Sequence, residues 1–462
     1  MRNPRRTVLP LLLIAATVLA GCRATATPEA TKPPEVAPTQ APATQAPSPA
    51  PAEKVTITMW MTADDFTQTF DENVITPFNE QSMTTIVELV PQANAWDALR
   101  AALPSGEGPD LIRTMGPTAA TSLARAGYLL PLDTYAEAFE WADLVMPWAL
   151  EIGRADGLLY SIPLEVETLV LYYNKTLFEQ HDWTPPTTMD ELVALSEEIQ
   201  AAGVVPFAHA VGEFRQASEW YIGEFMNHVA GPQVVYEALT GERPWTDPVL
   251  VEAMDLLNTF QQNSWFMGGL DRYYTLSFAE RDAMFSSGEA AMDIEGTWAI
   301  GGWLGLFGEA NGNPNEWDWV PVPSATGDPI YDLGVGGSLS IHAESLYPDN
   351  AAEFLSYYYS PEVQARLLAA GFNSGPVRLT ADMLSGVDAR FAAIIAAMGE
   401  ASLAGGYGYT SWTFWPPQSE TYLIEVEKVW SGEISSTEYL QGLQDMMDEE
   451  RAAGEMPAIP LR

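Results

Sequence analysis

From Val55 onward, short runs of alternating apolar and polar positions give way repeatedly to stretches with a 3.6-residue apolar period. VTITMW (55–60), TTIVELV (84–90) and PDLIRT (109–114) read as strands, while DENVITPFNEQS (71–82), NAWDALRAAL (94–103) and TAATSLARAG (118–127) read as helices, the last closed by Gly127. Alternation of this kind predicts an α/β fold with mostly parallel sheets and right-handed crossovers. The plainest helix grammar lies in TTMDELVALSEEIQAAG (187–203). Thr188 and Glu191 there make a capping box, Leu192, Leu195 and Ile199 share a face, and Gly203 stops the helix. VVPFAHA (204–210) follows as a strand. After Pro248 helical patterns dominate, at 249–263, 349–360, 361–371, 388–401 and 435–450, with strand-like AAMDIEG (290–296), DWVPVP (318–323) and GSLSIH (337–342) between them. Single cores stop growing near about 250–300 residues, so two lobes fit this pattern better than one.

The amino terminus follows a different pattern. Arg2, Arg5 and Arg6 precede an apolar stretch too short to span a bilayer, which reads as a signal peptide over residues 1–21. LAGC (19–22) places small residues before Cys22, the one cysteine of the chain, and resembles a bacterial lipobox. Cys22 is therefore expected to carry lipid, and with a single cysteine neither an internal disulfide nor a cysteine metal site is possible. Residues 22–53 hold eight prolines and scarcely a large apolar side chain, so they read as a tether that cannot bury enough surface to fold.

Charge narrows the partners. The formal net charge is −41, and removing the first 21 residues takes away three arginines and no acid, so it becomes more negative still. A surface of that sign excludes nucleic acid, which needs cationic contacts to its phosphates. Catalytic signatures are scarce: His181, His209, His228 and His342 show no zinc-ligand spacing, and no nucleophile elbow or phosphate loop occurs. GVGGS (334–338) reads as a glycine-rich turn, and NGNPNEWD (311–318) lacks the turn glycine and distal Glu of a calcium loop. No cofactor or metal is expected.

IPLEVETLVLYYNK (162–175) sets Glu165 and Glu167 at the head of an apolar run. On a strand, positions i and i+2 share a face with Cα atoms roughly 6.5–7 Å apart. Two carboxyls projecting in parallel from one wall suit holding a sugar better than cutting one, since a glycosidase sets its pair on opposite sides of the bond. The remaining alternative is a solvated strand end. Among fifteen tryptophans, Trp60, Trp298, Trp412 and Trp415 stand at strand ends or in Gly/Pro-broken loops, where an indole can stack on the apolar face of a pyranose ring.

Four segments resemble the bacterial extracellular solute-binding protein family 1, the sugar-binding, maltose-binding-protein-like components of ABC importers: SGEGPDLIRTMGPTAATSLARAGYLLPLD, DGLLYSIPLEVETLVLYYNKTLF with PPTTMDELVALSEEI, FSSGEAAMDIEGTW, and NAAEFLSYYYSPEVQARL. The resemblance implies a two-lobed type II periplasmic-binding-protein fold, with an N-terminal lobe of 54–163 and 334–375 and a C-terminal lobe of 164–333 and 376–462. It makes Ile162 to Leu169 a hinge crossing and Glu167 a ligand for sugar. By the same resemblance Trp298 stacks on the ligand, Asp64 and Asp65 meet it at the end of the first strand, Glu213 and Phe214 supply contacts from a loop, and Trp412 and Trp415 precede a helix that closes the site. Thr114 stands where maltose-binding members carry a tryptophan, and Asp65 where they carry a lysine, which weighs against a malto-oligosaccharide but leaves a sugar. The implied protein is a monomeric, non-enzymatic, lipid-anchored binding protein that serves a membrane permease. A polyamine-binding protein and a secreted glycosidase are the alternatives.

Overall fold

The computed structural model describes residues 53–63 and 65–460. The expected signal peptide, Cys22, nearly all of the tether and Asp64 lie outside those residues. Twelve strands form among the described residues: β1 (Val55–Thr62), β2 (Thr85–Gln92), β3 (Leu111–Thr114), β4 (Arg154–Ala155), β5 (Leu158–Leu159), β6 (Ile162–Glu167), β7 (Leu169–Asn174), β8 (Val205–Phe207), β9 (Ala290–Gly296), β10 (Trp317–Val320), β11 (Tyr331–Ile341) and β12 (Tyr407–Tyr409). They make two main sheets with helices around them. The first runs β12-β11-β3-β1-β2, with β6 also paired to β11, and the second runs β10-β7-β9-β8.

Parallel pairing prevails where βαβ units build the sheet, at β1–β2 and β1–β3. It gives way in the second sheet, where β7 is antiparallel to both β9 and β10 and only β8–β9 is parallel. The cause lies in β6 and β7. The chain leaves the first sheet at Glu167, turns at Thr168 and enters the second at Leu169, so β7 arrives from the other sheet instead of through a helical crossover. All six residues of β6 are buried. Its free edge is satisfied by side chains, with Tyr358 donating to the Leu164 carbonyl at 2.6 Å and Tyr359 to that of Ile162 at 2.9 Å, and by the Val166 N–H donating to Ser374 O.

The first long helical segment shows how local sequence sets shape. Residues Asp65–Phe70 and Thr76–Gln81 are α-helical, and Asp71–Ile75 between them is a π turn. Pro77 has no N–H to give the carbonyl four residues back, at Asn73. That carbonyl instead accepts from Arg366 Nε at 2.7 Å. Phe78 then packs on Phe354 with ring centroids 5.2 Å apart, which ties this helix to helix 348–358. The capping box at Thr188 and Glu191 forms as the sequence predicts, and helix Met189–Ala201 follows it. The GVGG run is not a turn: Gly334 to Gly337 lie within β11, whose register against β6 shifts there. No helix among the described residues is long and apolar enough to cross a membrane.

Candidate functional site

β6 brings Glu165 and Glu167 onto one face, as the two-residue period requires. A Cβ added at Gly336 would meet Glu165 Oε1 at 2.9 Å and Glu167 Oε2 at 3.1 Å, so both carboxyls lie over this one glycine of β11. They are 9% and 6% exposed, and neither is a solvated strand end. Glu165 pairs with Arg113 Nη2 of β3 at 3.3 Å. Glu167 Oε1 accepts a hydrogen bond from Trp412 Nε1 at 2.9 Å. Gly334 permits that approach, because a Cβ there would stand 2.7 Å from the Trp412 ring and 2.9 Å from Glu167 Cγ. Burial pushes the Glu167 carboxyl well above the usual carboxylate range and the charge of Glu165 adds to it, against the opposing Trp412 bond and Arg113. Glu165 is raised by burial and held back by Arg113.

Three partly exposed tryptophans stand beside this pair. Trp220 and Trp298 meet edge to face at 4.9 Å, and Trp412 lies 6.3 Å from Trp220 and 6.2 Å from Trp298, again edge to face. Edge-to-face contact sets the positive rim of one ring against the negative face of the next. Trp298 folds back over Gly296, where a Cβ would stand 2.2 Å from the indole ring. Phe214, 41% exposed, extends the cluster with its ring 6.2 Å from Trp220.

Not every expected residue joins this group. Trp415 is fully buried, its ring 4.6 Å from Trp245, so it packs the core and has no free face for a sugar. Glu213 is spent on the start of helix 278–287, where it accepts from the Phe278 N–H at 2.8 Å. Thr114 is buried beside Arg113, and its hydroxyl donates to the Gly116 carbonyl at 2.9 Å. Trp60 lies on β1 opposite Val90 and makes no ring contact with the cluster among the described residues. Asp65 opens the first helix, and Asp64 is not among the described residues.

A separate groove of about 620 Å³ is lined by Trp96, Arg100 and Thr118 from elements around the first sheet and by Gln216, Glu219 and Glu420. Glu219 and Glu420 form a second acidic pair. Burial followed by the charge of Glu420 raises Glu219 well above its ordinary value, while burial followed by the charge of Glu450 pushes Glu420 up to about 8. A groove of about 720 Å³ along helix 389–404 is lined mainly by aliphatic side chains, with Arg378, Ser385 and Glu400 among its polar members.

Arg113, Trp220, Gly334, Gly336 and the pair Glu219/Glu420 are the members that sequence reasoning missed. The one local signal was the density of glycines opposite a strand bearing two glutamates.

Comparison with known proteins agrees with this architecture. A family model described as bacterial extracellular solute-binding protein matches residues 63–365. An ABC transporter extracellular-binding protein of Pyrococcus horikoshii is 27% identical over 210 residues, 44% of each chain. The diacetylchitobiose-binding protein of Streptomyces coelicolor is 25% identical over 228 residues, 47% of this chain and 45% of its own. The matched segments thus span about half the length of these relatives. The solved structure of a chitin oligosaccharide binding protein superposes with a TM-score of 0.71 at 20% identity, covering 86% of this chain and 99% of its own, which shows a shared fold. With two α/β sheets joined at Thr168 and a family match across most of the described residues, this chain belongs to the bacterial extracellular solute-binding proteins and has their type II periplasmic-binding fold.

Proposed function

We propose that this protein is the extracytoplasmic substrate-binding lipoprotein of an ABC importer, and that it binds a carbohydrate between its two sheets and hands it to a membrane permease. The observation that carries this reading is the triangle of partly exposed tryptophans beside a carboxyl oriented by an indole N–H. Indole faces cover the C–H faces of a sugar ring, and Glu165 and Glu167 accept from its hydroxyl edge. The sugar-binding names of relatives support the same class. Ligand that touches both sides favours a closed arrangement about Thr168 only if it binds that form more tightly. Cys22 would hold the protein to the cell membrane through lipid, and Cys22→Ser would release it with ligand affinity unchanged.

A second reading has its own observation. Glu219, buried, and Glu420, partly buried, line the groove with two acids, which suits a polyamine or another organic cation. Calorimetric titration of the purified protein with chito-, cello- and malto-oligosaccharides, and with spermidine, separates the two. Stoichiometric binding of one sugar without breakdown supports the carbohydrate reading. Tight spermidine binding with no sugar bound overturns it, and release of shorter sugars overturns the assignment as a binding protein in favour of a hydrolase.

A further inference from the structure

Away from the cleft, helix 218–225 runs into a π turn at Met226–Ala230, and this segment carries Glu224 and His228 one turn apart against Asp332 of β11. All three are buried to 1% exposure or less. His228 Nε2 lies 3.2 Å from Glu224 Oε2 and 3.7 Å from Asp332 Oδ1, and one ligand atom from each residue fits within 4.8 Å of the others. Both oxygens of Glu224 and Oδ1 of Asp332 find no hydrogen-bond partner outside this group, and the His228 ring has besides it only the backbone of Val322 and Pro323. Among the described residues, the ion pairs of the two acids involve His228 alone, with no lysine or arginine.

Two carboxyls and an imidazole that converge with no lysine or arginine among them are an arrangement that a positive charge at their centre would satisfy. Atoms bonded to one ion at about 2.0–2.2 Å stand roughly 3–3.6 Å apart, close to the spacing around His228 Nε2. The other oxygen of Asp332 is held by Asn227 Nδ2 at 2.9 Å, and Asn227 is itself fixed by Gly223 O and Tyr409. Outer contacts of that kind orient a metal ligand. Space is left for the Asp332 carboxyl by Gly408, where a Cβ would lie 1.7 Å from Oδ1. His228 also lines a groove of about 350 Å³ with Ser324, Thr326 and Asp328, which offers an entry path. A comparable set, His209 with Asp293 and Glu295, already holds the guanidinium of Arg281 against its acids and so has its positive charge.

We propose that Glu224, His228 and Asp332 bind one divalent first-row cation, zinc or manganese, which pins the 218–230 helix to β11. The set of one imidazole and two carboxylates suits those ions better than magnesium, which keeps an all-oxygen shell.

The test uses the full chain, stripped with EDTA, dialysed, and titrated calorimetrically with Zn²⁺, Mn²⁺ and Mg²⁺. One tight equivalent of Zn²⁺ or Mn²⁺ per chain is expected, together with a raised melting temperature. His228→Gln and Asp332→Asn should each weaken binding by at least about 100-fold, whereas His209→Gln should leave it unchanged. Should the variants fail to fold, X-ray absorption of the zinc-loaded parent is expected to show one imidazole and otherwise oxygen ligands. Absence of a tight equivalent, binding that survives in both His228→Gln and Asp332→Asn, or a shell with two or more imidazoles would overturn the assignment.

Discussion

Two acidic pairs, Glu165 with Glu167 beneath the tryptophans and Glu219 with Glu420 in the groove, are treated differently by their surroundings. Glu165 has Arg113 at 3.3 Å and Glu167 has an indole N–H at 2.9 Å, so each buried carboxyl keeps one oriented partner while glycines leave room beside it. Glu219 and Glu420 have chiefly each other and Glu450, whose carboxylate accepts from the N–H groups of Gln418 and Ser419. The contrast teaches that burial alone does not make a binding carboxylate. In both pairs a neighbour of like charge favours uptake of a proton, but at Glu167 the Trp412 N–H and Arg113 oppose it and fix an acceptor geometry, a counterweight that Glu219 and Glu420 lack.

The comparison can be broken most sharply at the tryptophans. Trp298→Ala removes a stacking face and is expected to weaken sugar binding by about 2–3 kcal/mol, roughly 30- to 150-fold, with little change in melting temperature. Next comes Glu167→Gln, which keeps the shape but loses the charge-assisted acceptor, for about 1.5–3 kcal/mol or roughly 10- to 150-fold by calorimetry. The same variant tests the proton linkage. Sugar hydroxyls donating to Glu167 favour its charged form, whose pKa in the free protein is raised, so binding releases a proton and parental affinity climbs with pH above the usual carboxylate range. Glu167→Gln should flatten that slope, and an unchanged slope would assign it elsewhere.

A smaller effect is expected from Trp412→Phe, which keeps a ring but deletes the donor to Glu167: about 0.5–1.5 kcal/mol, roughly 2- to 10-fold in affinity. Glu420→Gln completes the comparison through stability. Since the folded-state pKa of Glu420 is raised from 4.5 to about 8, its stabilising contribution is fully present at low pH and is lost as pH rises through that interval. Thermal melts should therefore show a shallower decline between pH 4.5 and 8 in the variant, and parallel curves would refute the assignment.

Much of the scaffold was legible along the chain because its signals are local. Strand alternation, the Thr188 capping box and the position of Glu167 at the head of a buried strand all follow from neighbours within a few residues. What escaped depends on pairing across long stretches of chain. The glycines of 334–337 lack strand-forming side chains and read as a turn, yet β3 and β6 on the flanks of β11 hold them extended. Trp220 sits in SEWYIGEF, where helical spacing suggests a core residue, and only its meeting with Trp298 gives it another role. Trp412 and Trp415 are three residues apart in one broken loop, but a single short helix sends one to Glu167 and the other onto Trp245. Glu224 and His228, four residues apart, do carry a local signal, which an inventory of histidine spacing alone passes over.

β11 lies between β3 and β6 although its residues follow theirs by well over a hundred positions, and β12 comes later still. Until more than two thirds of the polypeptide has appeared, the first sheet has no strand to span its middle, and Asn73 waits still longer for Arg366 to answer its carbonyl. Contacts of such long sequence separation form slowly. A nascent chain would thus hold its first sheet unfinished through most of its synthesis, a delay that suits a protein which crosses a membrane before it folds.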